Sequence, residues 1–81
     1  MKFLEPGQII KVMSQIQILL NGEKRTIPKK IDLDNLLDEF SLPKQRIAIE
    51  LNNSVIRRID WPSTVVDEGD KIEVVHFVGG G

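Results

Sequence analysis

The chain closes on Phe77-Val78-Gly79-Gly80-Gly81, so Gly81 is expected to carry a free α-carboxylate at the tip of a flexible tail without side chains. That carboxylate is the group best placed to do chemistry. Gly79, Gly80 and Gly81 have no Cβ, which lets the backbone enter a channel too narrow for other residues and take φ values closed to them. At ~3.3–3.6 Å per extended residue the tail reaches roughly 10 Å. Most chain ends fray, but this one follows a strand-like run at residues 72–78 that a fold would hold firmly. Other reactive groups are scarce. His76 is the single histidine, and no Ser, Cys or carboxylate is spaced with it as a triad or metal set, so a packed strand histidine is expected. Residues 79–81 do not read as a phosphate loop either, since no helix follows to supply a positive N-terminus.

The rest of the composition narrows the chemistry. With no cysteine there are no disulfides, zinc–thiolate sites or thiol nucleophiles, so any sulfur handled here comes from elsewhere. Eighty-one residues make one small domain, burying about 60% of the surface its unfolded chain exposes and leaving little room for a catalytic cleft. A protein acted on by enzymes is therefore expected rather than an enzyme. A hydrophobic fraction of 41% and a charged fraction of 28% are those of an ordinary globular domain. A net charge of -1 argues against nucleic acid. No apolar run approaches the ~18 residues of a membrane span, and the start lacks a signal peptide's apolar stretch, so a cytoplasmic protein is expected. Residues 59–81 carry Asp60, Asp67, Glu68, Asp70 and Glu73 against Lys71 alone. This acidic end reads either as a solvated face or as a means of steering toward a basic partner.

The elements that would position the tail follow from local patterns. Ile16, Ile18 and Leu20 alternate with Gln17 and Leu19 up to Asn21-Gly22, a two-residue hairpin signal, and the return strand stops at Pro28. Asp32 stands as N-cap to a helix with Leu33, Leu36, Leu37 and Phe40 on one face, ending near Ser41. Residues 47–51 form an apolar strand turned by Asn52-Asn53 into a short strand at 54–56. Residues 57–62 are irregular or one helical turn, with Trp61 as a plug over the core, and a further short strand is expected around Thr64-Val65-Val66. Glu68-Gly69-Asp70 then turns the chain into its last strand.

This order predicts an α+β fold, a ubiquitin-like β-grasp: a mixed sheet with the first and last strands side by side and one main helix on one face. Parity in the last strand puts Ile72, Val74, His76 and Val78 on one face and Glu73, Val75 and Phe77 on the other. If Glu73 marks the solvent side, Val75 and Phe77 form an apolar patch just before the tail. The alternative packs them under the N-terminal segment or a loop.

Residues 68–81, Glu-Gly-Asp-Lys-Ile-Glu-Val-Val-His-Phe-Val-Gly-Gly-Gly, resemble the ThiS family of thiamin-biosynthesis sulfur carriers, with support from residues 18–22, Leu36-Leu37 and residues 57–61. The similarity covers about residues 15–81, and Gly80-Gly81 alone is shared with the MoaD carriers of molybdopterin synthesis and with protein modifiers. The resemblance implies that no cofactor is bound. An E1-like, ThiF-like enzyme uses ATP to adenylate the Gly81 carboxylate, and a persulfide donor supplies sulfur that displaces AMP. The resulting 1-thioglycine at Gly81 enters a ThiG-like thiazole synthase and gives up its sulfur to the thiazole ring. In that account Gly79, Gly80 and Gly81 thread both active sites, Val75, Phe77 and Val78 supply docking area, and Arg57 with the acidic end orients it. Rival readings are a MoaD-like small subunit of molybdopterin synthase, a ubiquitin-like modifier joined to lysines through Gly81, and a β-grasp interaction module. The domain is expected over residues 15–78 with the tail at 79–81. Residues 1–14 read as an N-terminal extension: either an added strand or apolar cover involving Phe3, Leu4, Ile9, Ile10 and Val12, or a start-site artefact with Met13 as the true start.

Overall fold

A computed structural model describes residues 3–8 and 14–78. In chain order the elements are β1 (Gln15–Leu20), β2 (Glu23–Pro28), α1 (Leu33–Glu39), β3 (Ile47–Leu51), β4 (Ser54–Ile56), a 3-10 turn (Arg58–Ser63) and β5 (Lys71–His76). The strands form one mixed sheet in the order β2-β1-β5-β3-β4. β1 runs parallel to β5 through Leu19↔Lys71 and Leu20↔Ile72, and every other pairing is antiparallel. The β-grasp expected from the order of elements is the fold observed, with the first and last strands adjacent at the centre.

Both hairpins turn through residues with positive φ, which matches the twist of the strands they join. Asn21 and Gly22 have φ of 50° and 82°, and Asn52 and Asn53 have φ of 51° and 72°. α1 starts where Asp32 accepts the Asn35 N–H at 2.8 Å. That bond, chiefly, holds the Asp32 carboxyl below its ordinary range. The helix ends in a Schellman motif, with Leu42 N–H donating to the Leu37 carbonyl and Ser41 N–H to that of Asp38. Ser41 occupies the left-handed position at φ 53°, where glycine would be unstrained.

Leu33, Leu36 and Leu37 of α1 are buried against Ile18, Leu20, Ile49 and Ile72 of the sheet. Trp61 closes this core as expected, its indole N–H donating to the Ile56 carbonyl at 3.0 Å, with the Arg58 guanidinium 4.4 Å from its ring. The short strand expected around Thr64–Val66 does not join the sheet. It makes one bridge, Asp32↔Val65, and exchanges backbone bonds with the segment entering α1, Leu33 N–H to Thr64 and Val66 N–H to Ile31. The burial of Val66 draws the segment to the helix start instead of to a sheet edge. At the other end, Phe3 and Leu4 stand exposed beside a turn closed by Gln8 N–H on the Glu5 carbonyl. Ile9, Ile10 and Val12 lie outside the described residues.

Candidate functional site

β5 is anchored on both sides before it reaches the chain's last residues. At its root Gly69, at φ 81°, makes the turn and donates its N–H to the Gln17 carbonyl, while Glu68 accepts the Gln17 N–H at 2.7 Å. Asp70 accepts from the Asp67 N–H and the Asn52 amide, and Asn52 in turn accepts the Lys71 N–H at 2.9 Å. Further along, Asn21 donates its N–H to the Ile72 carbonyl and accepts the Val74 N–H on its side-chain oxygen at 2.8 Å. On the β3 side Phe77 N–H donates to the Arg46 carbonyl at 2.9 Å, so the strand is held as far as Phe77. Gly79, Gly80 and Gly81 lie outside the described residues.

The alternation in β5 follows the parity read from sequence. Ile72 is buried and Val74 packs on the core, while Val75 and Phe77 are each 48% exposed on the face away from α1. Neither is buried beneath another segment. Val78, at 87% exposed, also meets solvent. His76 departs from expectation. It stands exposed at the last position of β5, so packing does not engage it.

Cross-strand register shows what shares the open face, because directly paired residues project to the same side. Val75 pairs with Ala48, and Glu73 pairs with Glu50, which also pairs with Val55. On the other side Leu19 pairs with Lys71. Val75 and Ala48 therefore lie side by side on the open face with Phe77 at its tail end, and Val55 and Leu19 share that face nearer the root of β5. Val55 and Leu19 escaped the sequence reading: their strands were legible, but only the register brings them onto the face of Val75. An acidic pair sits within this face, level with Val55 and between Val75 and Leu19. Glu50 faces Glu73 directly, and Glu73 meets Lys71 at 3.5 Å. Like charges opposed across strands are unfavourable alone and are relieved by a nearby cation.

Arg57 follows the last β3–β4 pair, Ile49↔Ile56, and so stands level with Ala48 and Val75, two strands from β5. Its guanidinium donates to Asp60 at 3.1 Å and remains 78% exposed. Exposed pairs of this kind contribute about 0–1 kcal/mol, which leaves the guanidinium readily exchanged to another carboxylate. Among the described residues no three His, Asp or Glu side chains gather as metal ligands, and no helix is long and apolar enough to cross a membrane. The candidate site is thus the exposed sheet face around Val75 and Phe77.

Comparison with known proteins sharpens this. The family model described as the ThiS family matches residues 18–81. A thiazole synthase of Magnetococcus marinus is 38% identical over 66 residues, covering 82% of this chain and 20% of that protein. The chain spans about a fifth of the length of the curated thiazole synthases it matches. A sulfur carrier protein ThiS of Thermus thermophilus is 31% identical over 64 residues, covering 79% of this chain and 98% of the relative. The crystal structure of a thiamine biosynthesis protein (ThiS) from Geobacter metallireducens aligns with a TM-score of 0.74 at 28% identity, covering 82% of this chain and all of that one.

Proposed function

Because this chain belongs to the ThiS family, which it matches over residues 18–81, we propose that it is a sulfur carrier of thiamin biosynthesis, working in the cytoplasm as a protein co-substrate. The observation that carries the reading is that the family match runs through to Gly81. A carboxylate is a poor acyl donor, since its oxygen is a bad leaving group and its charge repels nucleophiles. In the proposed cycle an E1-like enzyme transfers AMP from ATP to the Gly81 carboxylate and releases pyrophosphate. The terminal sulfur of a donor's persulfide attacks the acyl carbon and displaces AMP, and a thiol then reduces the acyl disulfide to leave the Gly81 thiocarboxylate. A thiazole synthase takes sulfur from that group. The matched thiazole synthases support this last partner, because in them a carrier-like segment shares one chain with the remaining four fifths.

The open sheet face serves as the dock in this reading. Val75, Phe77 and Val78 lie next to residues 79–81, so burying them against an enzyme aims the tail into its active site. The facing Glu50 and Glu73 favour a partner with a basic group beside Val75 and Val55, and exposed Arg57 favours a carboxylate next to it. The test is the intact mass of the protein with an E1-like activating enzyme, ATP and a sulfur donor, followed by fragmentation of the C-terminal peptide. An AMP adduct and then replacement of one oxygen by sulfur at Gly81 is the expected result. No change with an active cognate enzyme set overturns the reading. Gly80→Ala is expected to block adenylation without shifting thermal unfolding, because its Cβ would clash only in the partner's channel.

A further inference from the structure

The two outer strands of the sheet are guarded, and the inner strand β5 is not. β2 carries Glu23, Lys24 and Arg25 and ends at Pro28, while β4 is only three residues long. Charge, proline and shortness are the usual protections of a sheet edge against unwanted pairing. β5 has a neighbour on each side only for part of its length. Its pairing with β1 ends at Leu20↔Ile72, because β1 turns away at Asn21, whereas its pairing with β3 continues to Ile47↔His76. The stretch with no strand neighbour on the β1 side among the described residues, 74–78, is Val-Val-His-Phe-Val, with no proline and no acidic, lysine or arginine side chain.

The direction of the backbone groups there follows from the hydrogen bonds. In an antiparallel pair alternate residues direct both their N–H and C=O at the partner. Asn52 N–H to the Lys71 carbonyl and Phe77 N–H to the Arg46 carbonyl show that the odd-numbered residues of β5 face β3. The even-numbered ones face the β1 side, as Asn21 N–H to the Ile72 carbonyl and Val74 N–H to the Asn21 side chain confirm. The Val74 carbonyl and the N–H and carbonyl of His76 therefore point to where β1 has ended, and none of them meets a partner among the described residues. Asn21 also borders a hollow of about 370 Å³ lined by Leu20, Glu23, Arg25, Phe40 and Leu42, so apolar surface adjoins this open edge.

We propose that this half-edge is a strand-addition site: an extended segment of the enzyme that receives the tail pairs with Val74 and His76 and continues the position vacated by β1. Main-chain pairing supplies the attachment, and alternate side chains of the segment fall toward the hollow and over Val75 and Phe77. An enzyme segment fits better than a second copy, because two copies paired antiparallel would send their tails in opposite directions. This inference rests on the thiazole-synthase partner proposed above. Its test uses the full chain made by chemical synthesis with the His76 backbone N–H replaced by an ester oxygen. No donor bonded inside the fold is lost, and the Val75 carbonyl facing Ala48 becomes only a weaker ester acceptor, so the unfolding midpoint should fall slightly, while affinity for a thiazole synthase falls roughly three- to tenfold. The same replacement at Phe77, whose N–H is used inside the fold, should lower the unfolding midpoint further, because it removes the bond to the Arg46 carbonyl outright. Unchanged affinity of the His76 ester for a synthase that binds the wild type overturns strand addition and leaves the carrier reading standing. Failure of the wild type to bind the synthase removes the partner, and strand addition with it. Self-association of the wild type that the His76 ester abolishes assigns the edge to a second copy and overturns the enzyme segment.

Discussion

The two faces of the central strands carry similar side chains and meet opposite fates. Ile18, Leu20, Ile49 and Ile72 point at α1 and are buried, whereas Leu19, Val55 and Val75 project from neighbouring positions of the same sheet into solvent. Hydrophobicity is thus present in excess of what one seven-residue helix covers. The lesson is a division of labour by parity: one face supplies stability, and its apolar counterpart is held rigid without adding to it.

Substitutions can break or sharpen that contrast. The largest effect is expected on the covered face, where Ile72→Ala should cost about 2–5 kcal/mol in denaturant unfolding, a substantial part of the roughly 5–15 kcal/mol that holds a typical domain together. On the open face, Val75→Asp with Phe77→Asp should leave unfolding within about 1 kcal/mol while weakening binding to a thiazole synthase by roughly tenfold, about 1.4 kcal/mol; calorimetric titration separates the two. Equal losses of stability from both faces would erase the division. Asp32→Ala should cost about 1 kcal/mol at neutral pH through the lost helix cap. The folded-state pKa of Asp32 is lowered, so the cap's pH-linked stability is fully present above the ordinary carboxylate value of about 3.9 and is lost as pH falls through the folded value. Asp32→Asn keeps an acceptor for the helix N–H and should remove that contribution to acid sensitivity in melts across this range. The smallest effect is a gain: Ser41→Gly relieves the left-handed backbone at the helix end and should raise stability by about 0.5 kcal/mol, with no change in partner affinity.

Local chemistry made much of the fold legible. Asn21-Gly22, Asn52-Asn53, the Asp32 cap and the spacing of Leu33, Leu36 and Leu37 each determine a turn or helix through neighbours a few residues away, and the structure contains all of them. The exposure of Val75 and Phe77 was readable because parity is a local property of a strand. What could not be read depends on contacts between distant segments. Thr64–Val66 looks like a strand, yet it settles against residues 31–33. Val55 and Leu19 join the open face only through register, and the Asn21 side chain standing in for a strand residue beside Val74 follows from three-dimensional packing. Arg57 was singled out from sequence, but its pairing with Asp60 depends on the 3-10 turn that follows it.

The parallel seam between β1 and β5 has a consequence for synthesis. It is among the latest contacts the chain can make, joining Asn21 to Val74 across 53 residues, and β1 has no neighbour on that side until β5 has been made. Closing so long a loop costs entropy that local hairpins do not have to overcome. A nascent chain emerging N-terminus first can therefore form its first hairpin and its helix early, but it acquires the open face around Val75 only when β5 is threaded in. The element that completes the sheet is the last strand of the chain, so under the proposed function an activating enzyme that reads the face before it engages residues 79–81 would discriminate against half-folded carriers with no separate proofreading step.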